Sequence, residues 1–184
     1  MSSASLHRVS LTGDVLRRGF WLYVWEVIPK DGAAVLYVGM TGDSSSPNAQ
    51  SPFTRLGQHL GTNKHANALA RHLKAKDIEP SECRSLELIA YGPVLEEAEG
   101  MKQHRPLRAK VAAMEKALCS ALSGAGYNVL NKVQCRAALD ARLWEQVLDA
   151  FAERFADLKS QDAKETLLRH ELSGDRFRVG KTTR

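Results

Sequence analysis

Phe20-Trp21-Leu22-Tyr23-Val24-Trp25-Glu26-Val27-Ile28, followed by Pro29-Lys30-Asp31-Gly32 and then Val35-Leu36-Tyr37-Val38-Gly39, is the stretch that decides the fold. Aromatic and β-branched side chains crowd the first run, and such residues suit a strand. Pro presets φ and Gly accepts positive φ, so 29–32 reads as a turn. Residues 35–39 form a second short strand, and the two pair as an antiparallel hairpin. Tyr23 and Tyr37 share a face of that hairpin only if the pairing register sums to an even number, such as about 60 or 62. A one-residue slip separates them.

Outward from the hairpin, 42–51 is a polar Ser/Pro/Asn/Gly loop. Ser51-Pro52 opens a helix, with Ser as N-cap and Pro at the first helical position. Phe53, Leu56 and Leu60 give that helix one apolar face. A second helix is expected over 65–76 on Ala68, Leu69 and Leu73. Residues 85–91 read as a third strand, ended by Gly92-Pro93. A strong helix spans about 107–122 on Leu107, Val111, Met114, Leu118 and Leu122, and Gly124 and Gly126 stop it. Residues 137–159 form a further helix on Leu139, Leu143, Val147, Leu148, Phe151 and Phe155, with a helical piece continuing to Leu172. The fold class is α/β, a small three-stranded antiparallel sheet flanked by helices with a C-terminal helical extension.

The 184 residues are 43% apolar and 26% charged, enough for one core without staples and too apolar for a disordered chain. No apolar run reaches the ~18 residues a membrane helix needs. Residues 1–18 lack the apolar segment of a secretory signal. Cys83, Cys119 and Cys135 show no C-x-x-C spacing, which speaks for reduced thiols in a cytoplasmic protein and against structural zinc.

The formal charge of +5 is unevenly spread. Between 44 and 76 there is no acid, but there are Arg55, Lys64, Arg71, Lys74 and Lys76; 100–114 is likewise free of acids. Residues 140–175 carry nine acids against five bases, so the remainder is strongly positive. Clustered positive charge is the footprint of phosphate binding, and Lys64, Arg71 and Lys74 are the candidate contacts.

Arg55 and His59 stand four apart and project from one helix face beside the Leu56/Leu60 ridge. A fixed cation next to a proton-exchanging group suits a scissile phosphate. Glu115 borders the buried stripe of its helix, where a carboxylate needs a partner. That partner is either a basic side chain or a hard cation, which binds through one or two carboxylates plus waters and phosphate oxygens. Asn128, after a glycine turn, either positions a phosphate or water or stabilises the turn.

Trp21-Leu22-Tyr23, Tyr37-Val38-Gly39, Arg55-x3-His59, Glu115 and Tyr127-Asn128, in this order over about residues 20–131, resemble the GIY-YIG nuclease superfamily. The resemblance implies a metal-dependent endonuclease acting on DNA, with RNA as the other substrate open to it. It implies one divalent metal ion, Mg²⁺ or Mn²⁺, held by Glu115. A tyrosine hydroxyl helps to activate water, Tyr23 foremost with Tyr37 assisting. Arg55 stabilises the pentavalent phosphate, and His59 handles a proton or holds the tyrosine. Asn128 orders the end of the site, with Asn131 as the competing asparagine, and His65 is a further phosphate contact. Trp21 stands where the family usually has Gly, and the 42–51 loop is long.

The expected organisation is an N-terminal segment 1–19, a nuclease domain 20–135, a helical extension 136–172 and a basic tail 173–184. The extension either packs back on the core or forms a homodimer face, and its negative charge suits it poorly to DNA. The competing functional reading is a nucleic-acid-binding module of the same fold that cleaves weakly or not at all.

Overall fold

The computed structural model of the chain describes residue 4, residues 6–61 and residues 67–159. Its framework is a three-stranded antiparallel sheet of order β2-β1-β3, built from β1 (Phe20–Ile28), β2 (Val35–Met40) and β3 (Ser85–Leu95). Around it lie α1 (Pro52–Leu60), α2 (Ala68–Lys74), α3 (Met101–Gly124) and α4 (Ala141–Ala152). No helix among the described residues is long and apolar enough to cross a membrane.

The central strand β1 is apolar on both faces because both are covered. Phe20, Leu22 and Val24 join Leu36 and Val38 of β2 and Val111, Met114, Leu118 and Leu122 of α3 in one cluster. Tyr23, Trp25 and Val27 join Val35 and Tyr37 of β2 and Leu69 and Leu73 of α2 in the other. Each large apolar side chain so buried contributes ~2 kcal/mol. The β1–β2 register pairs Tyr23 with Gly39 and Trp25 with Tyr37, one of the even registers, so both tyrosines share the α1/α2 face.

β3 runs on to Leu95 rather than ending at Tyr91, with a register irregularity between Phe20 and Leu22 of its partner. Pro93 is tolerated because β3 is an edge strand, where no second neighbour needs its missing N–H. Gly92 has φ of 148°, and a Cβ there would stand 2.9 Å from the Trp21 ring. The bulk of Trp21 is thus accommodated against a residue without a side chain.

α1 begins as its sequence says, with Thr54 N–H donating to Ser51 Oγ and Pro52 in the first turn. Its buried face differs from expectation: Phe53 is 46% exposed, and His59 takes a core position beside half-buried Leu56 and Leu60. α3 starts at Met101, six residues before the expected start, and carries Pro106 inside it. Proline there removes one hydrogen bond in the second turn, and buried His104 in the first turn is tied to the 42–51 loop.

α4 is shorter than the expected 137–159 helix, because Asp140 caps it by accepting from Leu143 N–H. Leu139, expected on its stripe, precedes the helix and is 38% exposed. Val147, Leu148, Phe151, Phe155 and Leu158 belong to the same cluster as Phe20 and Leu22. The apolar stripe of α4 is therefore consumed by the core, and a dimer through that stripe would have to unpack it. The expected continuation to Leu172 and the tail 173–184 lie outside the described residues.

Candidate active site

The site assembles on the α1/α2 face of the sheet, where β2 is an edge. Tyr23 stands across from Gly39, and a Cβ on Gly39 would lie 2.5 Å from Cε2, Cζ and Oη of that tyrosine. The absent side chain is what gives the phenol its place. Tyr37, diagonal to Tyr23, presents its ring to the same region.

α1 brings His59 over both tyrosines. The ring lies 5.5 Å from that of Tyr23, 5.3 Å from Tyr37 and 6.4 Å from Trp25, edge-on in each case. His59 Nε2 and Tyr23 Oη are hydrogen-bonded at 2.6 Å, and Leu69 N–H donates to His59 Nδ1 at 3.4 Å. Burial, helped by the Arg55 charge, pushes His59 down to about 4. Burial also lifts Tyr23 well above the ordinary phenol value, and lifts Tyr37 to about 12. The charge of Glu115 adds to both upward shifts while that of Arg55 opposes them, which places all four groups in one electrostatic neighbourhood.

Arg55, one turn before His59, is fixed at two of its three nitrogens. Nη1 donates to Gln58 Oε1 at 2.9 Å, and Nη2 pairs with Asp43 Oδ1 at 3.3 Å. Its Nε is buried with no partner among the described residues. Asp43 belongs to the 42–51 loop, which is braced from several sides. Ser46 Oγ donates to Asp43 Oδ2, His104 Nε2 donates to Asp43 O, Arg108 Nε donates to Gly42 O and Gln58 Nε2 donates to Gln50 Oε1. Ala49 N–H donates to Glu97, which Arg18 also holds.

Glu115 comes from α3. Burial pushes its carboxyl up to about 7 despite the opposing charges of Arg108 and Arg55. Its carboxylate makes no hydrogen bond or ion pair among the described residues. Arg108, two turns earlier on the same helix, is a site neighbour that the sequence reading passed over; the seven-residue spacing from Glu115 is the signal that reveals it. His72 was also passed over. Its ring lies 5.5 Å from Tyr37, and it flanks the buried Leu69/Leu73 ridge of α2.

Asn128 is not gathered into the site. Its side chain is exposed and makes no hydrogen bond among the described residues, while its carbonyl accepts from Leu36 N–H at 2.8 Å. The buried asparagine is Asn131: Oδ1 accepts from Val38 N–H at 3.0 Å and Nδ2 donates to Val38 O at 2.8 Å. It extends the β2 edge like a strand, between Tyr37 and Gly39, and Cys119 Sγ of α3 donates to its carbonyl. Arg71 and Lys74 are exposed on α2, and the charge of Arg71 reaches Tyr37. Lys64 and His65 lie outside the described residues.

Among the described residues no three His, Cys, Asp or Glu side chains are grouped to hold a metal ion. Glu115 is the carboxylate beside the tyrosines and would be the protein ligand of a cation bound here, with water and substrate oxygens completing the shell. A carboxylate with no hydrogen bond or ion pair among the described residues fits that role. Compared with known proteins, the chain matches no protein-family model, no curated protein and no solved structure.

Proposed function

We propose that the chain is a GIY-YIG-type endonuclease that hydrolyses phosphodiester bonds in DNA, with one divalent cation, Mg²⁺ or Mn²⁺, at Glu115. The observation that carries this reading is an unmet donor facing the same site as an unmet carboxylate. Among the described residues, Arg55 Nε–H is buried without a partner, and Glu115 is a half-buried carboxylate without one. A buried donor without an acceptor is costly, and a buried carboxylate without a partner more so, unless a ligand completes them. A phosphodiester held beside a cation offers both complements: an oxygen for Arg55 and positive charge for Glu115.

The chain's own groups then divide the work. Arg55, held in orientation by Asp43 and Gln58, donates to a phosphate oxygen where negative charge builds up. Tyr23 and Tyr37 enter as phenols, since burial holds both protonated at neutral pH. When bound, the cation supplies Lewis-acid charge to the phosphate and offsets the Glu115 charge that opposes phenol ionisation. Tyr23 passes its own hydroxyl proton to a water in the site, and the phenolate takes the proton of the attacking water, whose oxygen bonds to phosphorus as the leaving oxygen departs and is protonated from solvent. Exposed Arg71 and Lys74 contact flanking phosphates without reading sequence.

The test is cleavage of supercoiled plasmid with Mg²⁺ or Mn²⁺ by the parent and by Glu115→Ala. Metal-dependent nicking by the parent alone supports the reading. Equal inactivity of both, with DNA still retarded in a gel, overturns it in favour of a binding module.

A further inference from the structure

His59 occupies an unusual place in the hydrogen-bond pattern of the helix that follows it. Asn67 sits at the N-cap of α2, yet its side chain makes no cap and its Oδ1 is buried with no partner among the described residues. The first-turn amide that an N-cap side chain ordinarily satisfies belongs here to Leu69, and it donates to His59 Nδ1 instead. His59 is 4% exposed, so no solvent competes for that nitrogen.

A neutral imidazole carries one N–H. An amide hydrogen directed at Nδ1 requires a lone pair there, so the ring proton sits on Nε2. The 2.6 Å contact is then Nε2–H donating to Tyr23 Oη, not the phenol donating to the ring. Tyr23 accepts, and its own O–H takes the other in-plane position, free for water or a phosphate oxygen. A proton added to His59 would go to Nδ1, where it would oppose the Leu69 N–H.

We propose that His59 is a positioning residue locked as the Nε2–H tautomer, which links the first turn of α2 to the phenol of Tyr23 and carries no proton during turnover. Its catalytic consequence rests on the nuclease reading; the tautomer does not. The link joins the helix that bears Arg71 and Lys74 to the tyrosine through a single ring. Proton transfer is then left to Tyr23, and a fixed N–H remains in place to stabilise that oxygen when it ionises. Among the described residues, the groups facing His59 are Arg55 on its own helix, Tyr23 and Trp25 from β1, Tyr37 from β2 and the Leu69 amide from α2. None is an acid that would favour the imidazolium.

Long-range ¹H–¹⁵N spectra of the full chain, selectively labelled at histidine, read the tautomer directly. The expected result is a protonated Nε2 and a bare Nδ1 for His59, unchanged from pH 8 to pH 5. A protonated Nδ1, or a ring that titrates near neutrality, overturns the proposal. Plasmid cleavage by His59→Gln and His59→Ala supplies the second arm. A glutamine amide can still donate to Tyr23 but cannot shuttle a proton, so His59→Gln should stay within about tenfold of the parent with its pH profile intact, while His59→Ala loses about a hundredfold or more. Equal, near-complete loss in both folded variants also overturns it. An inactive parent with the expected tautomer refutes the nuclease reading and leaves the lock standing.

Discussion

Gly39 and Tyr23 are direct partners across the β1–β2 pair, and the phenol of Tyr23 fills the space that a side chain on Gly39 would need. Gly39 has no left-handed backbone to protect, so its role is room rather than conformation. Gly39→Ala should fold with a loss of ~1–3 kcal/mol from overpacking. It should lose cleavage by about a hundredfold, because the Tyr23 hydroxyl leaves His59. Thermal melts beside plasmid cleavage check this; a folded variant with parental activity would show that the ring position is not critical.

Glu115 titrates at about 7 in the folded chain, against 4.5 ordinarily, because burial penalises its charge. Between those values the folded protein holds a proton that the unfolded chain has released, so the contribution of this residue to stability falls as pH rises. Glu115→Gln removes that loss. Urea denaturation in EDTA at pH 8 should find the variant more stable by ~2 kcal/mol, discounted for partial exposure, and near pH 4 no different. Equal stability at pH 8 would mean that the carboxylate has a partner.

His59 works in the opposite direction. Its folded value of about 4 lies below the ordinary 6.5, so its contribution is complete above 6.5 and is lost as pH falls toward 4. His59→Gln should flatten the stability curve of the metal-free protein between pH 6.5 and 4. A curve parallel to that of the parent would show that His59 does not remain neutral through that window.

Asp43 holds the guanidinium that a phosphate would share. Asp43→Asn removes a competing charge but also a brace. DNA binding at low salt should tighten about threefold, while cleavage at saturating DNA falls about tenfold as Arg55 loses its orientation. Filter binding and single-turnover cleavage separate the two effects. Unchanged values for both would place Asp43 outside the site.

Phe151 of α4 is 1% exposed and shares a cluster with Phe20 and Leu22. Phe151→Ala should cost about 3–5 kcal/mol by urea denaturation. A loss below about 1 kcal/mol would show that α4 stabilises itself apart from the sheet.

Much of the framework was legible because it depends on neighbours in sequence. The β1 run, the Ser51-Pro52 start of α1 and the α3 stripe bordering Glu115 each announce themselves through local composition or a 3.6-residue period. The same locality explains the misreadings. Pro106 argues for a helix start after it, yet α3 begins at Met101, its first turn bonded to Gly100 O and its His104 anchored to the 42–51 loop. Phe53 fits an apolar face by spacing, yet His59 holds the buried position, because the rings of Tyr23 and Tyr37 receive an imidazole there.

By itself the sequence determined the hairpin, the adjacency of Arg55 and His59 on one helix face, and the placement of Glu115 at the margin of a buried stripe. Each follows from a repeat of two or 3.6 residues along one segment. Tertiary structure alone decided the register that puts Tyr23 and Tyr37 on one face, the exposure of Asn128 against the burial of Asn131, and the orientation of the His59 ring. These rest on contacts such as Tyr23 with Gly39, Asn131 with Val38 and His59 with Leu69. The partners in such contacts belong to different elements, and no local period says which surfaces will meet.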